Sequence, residues 1–134
     1  MVRIVDGDTI RVRLPSGRVE RVRYIGIDTP ETGTCFWREA RAFNARLVAG
    51  REVRLERDVE ARDRYGRLLA YVHADGKDVG AELLRHGYAE PLVVPPNVRR
   101  APRFAALAAG ARAAGRGLWG ACALARLPVA AEES

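Results

Sequence analysis

Two short acidic stretches hold residue types that can do chemistry together: Asp6-Gly7-Asp8-Thr9 and Asp28-Thr29-Pro30-Glu31. Carboxylates gathered at one point repel one another, so such a cluster usually holds a cation. Oxygen-only donors suit a hard ion such as Ca²⁺ or Mg²⁺. Taken singly, Asp-Gly and Asp-Thr-Pro are also ordinary turn and cap chemistry. The choice depends on whether the chain brings the stretches together, with Arg23 beside them.

The elements between them predict that it does. Ile10, Val12 and Leu14 alternate with Arg11 and Arg13, the period of a half-buried strand. Pro15-Ser16-Gly17 signals a turn. Val22, Tyr24 and Ile27 lie on the return, with Arg21 and Arg23 between apolar neighbours. A turn centred near residues 16 and 17 makes paired positions sum to about 33. Asp28 then falls opposite Val5 and Asp8 opposite Ile25, which brings Asp6, Asp8, Asp28 and Glu31 to one end of a hairpin. Alternate strand residues share a face, which places Asp6 and Asp8 roughly 6–7 Å apart on one side.

With 134 residues the chain is expected to form one domain, and 48% apolar content makes it globular rather than disordered. A net charge of +6 and a pI near 10.1 favour a polyanionic partner, nucleic acid first and an acidic membrane surface second. The cations are 22 arginines and one lysine, Lys77. The guanidinium fork pairs with phosphate, but a GC-rich coding bias produces the same excess, and the two explanations weigh equally. No run approaches the roughly 20 apolar residues of a membrane span. No signal peptide is visible, and so short a first strand before Asp6 raises the expectation of a trimmed N-terminus. Cys35 and Cys122 are too far apart in sequence for a metal-type pair. His73 and His86 are isolated from the acids and are expected in surface or packing roles.

Further along, Ala40, Phe43, Leu47 and Val48 predict an amphipathic helix over 39–48, closed by Gly50. Residues 52–56 alternate as a strand with an edge or solvated face, 58–66 read as a loop, and 67–72 as a strand. Asp75-Gly76 is a hairpin turn before a brief return at 77–79. A short helix over 81–86 ends at Gly87. Prolines keep 88–96 extended. An alanine-rich helix spans 102–116, and Leu118 and Trp119 dock back on the body. The order predicts an α+β domain over 1–122, built on a small antiparallel barrel, and a loose tail over 123–134.

Asp6-Gly7-Asp8-Thr9, Arg23, Asp28-Thr29-Pro30-Glu31, Asp63-Arg64-Tyr65-Gly66-Arg67 and Ala74-Asp75-Gly76-Lys77, in this order, resemble the staphylococcal nuclease (thermonuclease) family. Gly87-Tyr88-Ala89 and Leu118-Trp119 fit as well, so the resemblance covers nearly the whole chain. It implies a five-stranded OB-type antiparallel β-barrel with three α-helices. It implies Ca²⁺-dependent, sequence-nonspecific hydrolysis of DNA and RNA phosphodiesters. By position, Asp8 and Asp28 resemble the direct ligands of one Ca²⁺ or another hard divalent ion, with the Thr29 carbonyl beside them and Asp6 a near-shell acid. Glu31 resembles the residue that holds or deprotonates the attacking water, Arg23 and Arg67 the phosphate-gripping arginines, and Tyr65 with Arg64 a substrate-binding pair. Physical chemistry asks for the same parts, because phosphodiester attack builds charge that a divalent ion and guanidinium forks neutralise.

The sequence departs from the family pattern in two places. Seven residues separate Glu31 from Glu39, a shorter loop than in the best-known member. Val93 and Pro95 stand where that member places tyrosines against the base, leaving Trp37 and Tyr88 as substitute stackers, each also a packing residue. The resemblance further suggests a Cys35–Cys122 disulfide, which would imply an oxidising compartment and a secreted, periplasmic or cell-surface protein, expected as a monomer. The competing class is a non-catalytic nucleic-acid-binding OB module, which loses the acids and arginines. All of Asp8, Asp28, Glu31, Arg23 and Arg67 are present, which favours the enzyme. A membrane-binding basic domain ranks low, since no basic amphipathic helix of the required kind is present.

Overall fold

The computed structural model describes residues 2–122; Met1 and the expected tail at 123–134 lie outside them. The elements in chain order are β1 (Val2–Ile4), β2 (Thr9–Arg13), β3 (Val19–Tyr24), β4 (Ile27–Asp28), α1 (Trp37–Val48), β5 (Arg54–Glu56), β6 (Leu68–Ala74), β7 (Lys77–Asp78), α2 (Val79–Arg85), β8 (Glu90–Pro91), α3 (Ala101–Ala113) and α4 (Leu118–Ala121). This is the α+β, OB-type plan, with the three expected helices and a fourth of one turn.

The main sheet runs β1-β2-β3-β6-β5, with β7 on β6, while β4 pairs with β8 separately. All pairings are antiparallel but one: β3 and β6 run parallel, with Val22 level with Leu68. The chain can reach that pairing because α1 and β5 carry it around the domain first, as a parallel crossover requires. β1 and β5 form no ladder, so the expected barrel is not closed by hydrogen bonds among the described residues. A crevice of about 650 Å³, lined by Val2, Val12, Leu14, Val53 and Leu55, lies at that seam.

The β2–β3 register differs by one from the expectation. Thr9 pairs with Arg23 and Ile10 with Val22, a sum of 32 rather than 33. The apolar pattern explains the difference. Only the even sum puts Ile10 and Val22, both fully buried, on the same face, and a one-residue slip would turn one of them outward. The turn accordingly centres on Ser16, with the Leu14 amide donating to the Arg18 carbonyl.

Ile10, Val22, Ile27, Val72, Val79, Leu83, Leu84 and Phe104 form the centre of the core. Asp75 and Gly76 both take positive φ, the geometry of the tight hairpin that Asp-Gly predicts. Asp78 caps α2 by accepting from the Ala81 amide. The C-terminal docking is a backbone contact. Gly87 and Gly117 approach so closely that a Cβ on either would meet the other's backbone at 2.2–2.3 Å, or its neighbour's. There the Leu118 amide donates to the Gly87 carbonyl at 2.8 Å, and Leu118 is buried.

Glu56, expected on a solvated strand face, is instead the hub of an ion cluster. It pairs with His73 at 2.8 Å, Arg99 at 2.9 Å and Arg100 at 2.7 Å, tying the segment before α3 to β5. His73 thus has a packing role at the sheet, and His86 pairs with Glu82 within α2 and its C-cap.

Candidate active site

The acidic site is built by two loops pressed together. Residues 5–8 form the turn between β1 and β2 rather than strand, with the Val5 and Asp6 amides both donating to the Thr9 carbonyl. The expected strand-face relation of Asp6 and Asp8 is therefore replaced by a local one: the Asp8 amide donates to Asp6 Oδ1 at 3.0 Å, an Asx turn. Asp28 does not lie opposite Val5. The chain bends away from β3 at Gly26, and Asp28 pairs instead with Glu90 across β4 and β8.

The loops still meet. Asp8 Oδ2 accepts from the Thr29 amide at 3.0 Å, and Asp8 Oδ1 accepts from the Thr9 hydroxyl at 3.2 Å. Gly7 lies flat on Thr29, where a Cβ would meet the threonine side chain at 2.7 Å. Asp6, Asp8, Asp28, Glu31 and Thr29 all line one cavity of about 250 Å³, with Arg23 at its inner wall. Arg23 Nη1 donates to the Tyr24 and Ile27 carbonyls, at 2.8 and 2.9 Å. Its Nη2 stands 3.4 Å from Asp8 and 3.5 Å from Asp28.

The electrostatics record crowding. Burial, and then the neighbouring Asp8, push Asp6 up to about 6. Burial and Asp8 also raise Asp28, despite Arg23. Burial pushes Asp8 up too, but Arg23 and the Asp6 and Thr29 hydrogen bonds outweigh it and hold its carboxyl below the usual range. No set of three His, Cys, Asp or Glu side chains among the described residues closes into a metal shell by itself. The donor set still fits a hard divalent ion. It is all oxygen, it carries uncompensated negative charge, and such ions complete their shells with carbonyls and water.

A second cavity, about 610 Å³, adjoins across Arg23 and is lined by Arg67, Tyr65, Arg64 and Asp63. Asp63 organises this side. Its Oδ1 accepts from the Tyr65 and Arg67 amides at 2.9 and 3.0 Å, and its Oδ2 accepts from Arg67 Nε at 2.7 Å. Arg67 is thereby aimed, with both terminal nitrogens left for a ligand. Tyr65 is 69% exposed, with the guanidiniums of Arg64 and Arg67 over its ring at 4.9 and 5.7 Å. Tyr88 stacks on Phe43 at 4.3 Å and so packs against α1, while Trp37 carries Arg38 over its ring. Leu92, Val93 and Val94 stay exposed, and Leu92 and Val94 line the second cavity.

The two cavities gather every residue expected to be catalytic, metal-binding or substrate-binding by resemblance, while the cysteines and the substitute stackers Trp37 and Tyr88 lie outside their linings. Cys35, four residues past Glu31, is joined by a disulfide to Cys122 at the end of α4. Sequence reasoning missed two positioning residues. Asp63 was readable, because Asp followed three residues later by Gly is a type I turn signature. Asn44 was not. It lies fully buried on α1, accepts from the Tyr24 hydroxyl at 2.7 Å and donates to the Asp6 carbonyl at 3.0 Å.

The chain is 44% identical to the SPbeta prophage-derived endonuclease YokF of Bacillus subtilis (strain 168), over 76% of this chain and 37% of that protein. It is 40% identical to the thermonuclease of Staphylococcus intermedius, over 71% of this chain and 60% of that protein. An uncharacterized endonuclease of Escherichia coli O157:H7 is 38% identical over 89% of this chain and 74% of that protein. The chain thus spans less than two thirds of the Bacillus and Staphylococcus proteins. Residues 21–121 match the family described as staphylococcal nuclease homologue, and the chain belongs to that family.

Proposed function

We propose that this domain is a divalent-metal-dependent nuclease, Ca²⁺ being the expected ion, that hydrolyses DNA and RNA phosphodiesters without sequence specificity. The observation that carries the reading is the position of Arg23, shared between a carboxylate-lined cavity and an arginine-lined one. A phosphate seated at Arg23 would have Arg67 on one side and the carboxylates on the other. The bound ion would supply Lewis-acid charge neutralisation, held by Asp8 and Asp28 with the Thr29 carbonyl and Asp6 nearby.

The chain's own groups divide the remaining work. The Nη2 group of Arg23 and the free nitrogens of Arg67 grip the equatorial phosphate oxygens, where charge builds during attack. One such donor is worth roughly 10²–10³ in rate. Glu31 stands exposed at the mouth of the carboxylate cavity, where its carboxylate can hold the attacking water and accept its proton. Tyr65 and Arg64 offer a face for a base and a cation for the adjacent phosphate. The Cys35–Cys122 disulfide supports an oxidising compartment, secreted or periplasmic. No helix among the described residues is long and apolar enough to cross a membrane, and we read the domain as a monomer.

The test is digestion of single-stranded DNA with Ca²⁺ and with EGTA, alongside Asp8→Ala and Glu31→Gln. Degradation that needs Ca²⁺ and falls by orders of magnitude in both variants is the expected result. Degradation that persists in EGTA refutes the metal role. Tight binding without degradation transfers the domain to the non-catalytic binding class.

A further inference from the structure

The outer face of the first three strands carries a charge pattern that the catalytic reading does not use. In the observed register Arg3 lies directly opposite Arg11, and Arg11 directly opposite Arg21. These arginines alternate with the buried Val2, Val12 and Val22, so they share the outward face. With strands about 4.8 Å apart, the row spans roughly 10 Å. Arg13 and Arg23 flank it on the same face, where the three strands present no carboxylate. Arg67 immediately precedes Leu68, which is level with Val22, and so continues the row at the level of Arg21. Arg41 of α1 joins Arg3 and Arg11 around a hollow of about 560 Å³.

Like charges placed directly opposite destabilise a sheet. Several arginines elsewhere in the chain are paired with acids, as in Arg62–Glu20 and Arg100–Glu56. Arg3, Arg11, Arg21 and Arg41 have no side-chain hydrogen bond or ion pair among the described residues. Edge protection accounts for Arg3 on the outer strand β1. It does not account for Arg11 and Arg21 on inner strands. The row begins at the Arg23–Arg67 cleft and runs away from it, which is where the rest of a long substrate must go.

We propose that this arginine row is an extended track for the sugar-phosphate backbone of a single-stranded polynucleotide whose cleaved bond lies in the Arg23–Arg67 cleft. The proposal rests on the nuclease reading for the location of the cleaved bond. A single strand fits better than a duplex, because the exposed Tyr65 at the cleft offers a stacking face that only an unpaired base can use.

The experiment compares wild type, the triple variant Arg3→Ser/Arg11→Ser/Arg21→Ser, and a control with the same charge change at exposed sites elsewhere, Arg54→Ser/Arg57→Ser/Arg103→Ser. Binding of poly(dT) and poly(U) is measured by fluorescence anisotropy in chelator across a salt series. Hydrolysis of poly(dT) and of a p-nitrophenyl ester of one thymidine nucleotide is measured with Ca²⁺. Each lost phosphate contact lowers the salt slope by about 0.7, so the row variant should lose about 2. Between about 50 and 200 mM salt, wild type then loses about twenty-fold more affinity than the variant does. Its KM for poly(dT) should rise while the ester is hydrolysed at the wild-type rate, and the control should keep the wild-type slope. Equal slopes in all three proteins overturn the track, as does an equal loss in both triple variants. Dependence of phosphatidylserine-vesicle binding on the row, with none for polynucleotide, also overturns it and makes the face a membrane surface. If wild type cleaves neither substrate, the nuclease reading fails, while the binding slopes still decide the track.

Discussion

Replacing Asn44 should damage both stability and the acidic site, and the size follows from its partners. Asn44 is completely buried on α1 and joins two elements: the Tyr24 hydroxyl on β3 and the Asp6 carbonyl in the β1–β2 turn. Asn44→Ala strands both groups. A buried polar group left without its partner costs roughly 1–3 kcal/mol, so the pair costs about 2–6 kcal/mol. That is a large share of a total stability of roughly 5–15 kcal/mol. With an unfolding entropy of about 2 cal/mol/K per residue, Tm should fall by roughly 8–20 °C. Tyr24 cannot recover the loss by ionising, since burial raises its hydroxyl far above its ordinary value.

A double-mutant cycle separates this bond from general packing. Tyr24→Phe removes one end, Asn44→Leu removes the other with little change of volume, and the double variant removes both. Equilibrium unfolding in urea, followed by circular dichroism, should show the double variant to be more stable than the sum of the single losses predicts, by about 1–2 kcal/mol. Assayed well below its Tm, Asn44→Leu should also digest DNA more slowly, because the carbonyl it releases belongs to the turn that presents Asp8. Additivity within about 0.5 kcal/mol would refute the bridge. Full activity in Asn44→Leu would refute its link to the site.

Gly7→Ala should lower nuclease activity by about 10²-fold, the scale of a 1 Å displacement of catalytic groups, because its Cβ would meet Thr29 at 2.7 Å. Gly110→Ala, in open space on α3, should instead stabilise by roughly 0.5–1 kcal/mol; digestion of single-stranded DNA reads the first and thermal unfolding the second. Reducing the Cys35–Cys122 bond, which closes a separation of 87 residues, should cost about 4–5 kcal/mol in the chain-entropy model. Calorimetry with and without reductant measures the cost, and two free thiols by alkylation and mass spectrometry in unreduced protein would remove the premise. In chelator, Asp6 should add stability, and raise Tm, as pH falls through about 6 toward 4, since a carboxyl raised by folding binds its proton more tightly in the native state. Asp6→Asn should reduce that rise, leaving the share of Asp28, which folding also raises. Below about pH 4, Tm should drop steeply as Glu56, Asp58 and Asp63 take up protons. Burial raises these three, but hydrogen bonds from His73 and Arg100, from Arg99, and from Arg67 respectively outweigh it and hold them low.

The fold was legible where local chemistry and burial agree. The period of Ile10, Val12 and Val22 with Pro15-Ser16-Gly17 identifies the first hairpin, and Asp75-Gly76 identifies the second. Register was less legible, because turn residues locate a hairpin only to within a position, whereas matching the buried faces fixes it. The site was legible as a set of residues but not as a geometry. Asp28 reaches Asp8 through the bend at Gly26 and a pairing with Glu90, a long-range contact that no local pattern announces. Asn44 was hidden for the opposite reason. A polar residue on a helix reads as solvent-facing, and only the tertiary structure supplies the hydroxyl and carbonyl that make its burial favourable. The parallel β3–β6 pairing was invisible in sequence because its partners are separated by α1 and β5.

The chain also offers its own standard for telling a structural ion pair from one held ready for a ligand. Arg62–Glu20 and Arg100–Glu56 each close to 2.7 Å, and each acid is held below its ordinary pKa. Arg23 meets Asp8 and Asp28 only at 3.4 and 3.5 Å; it helps hold Asp8 below its ordinary value, while Asp28 is raised rather than lowered. The cause is visible in the backbone. Arg23 commits Nη1 to the carbonyls of Tyr24 and Ile27, which flank the bend that ends β3. The guanidinium is thereby fixed by the main chain and cannot collapse onto either carboxylate. An arginine so held spans the two carboxylates without fully neutralising either. That arrangement is poor as a structural salt bridge and well suited to receiving a phosphate on one side while the acids accept a cation on the other.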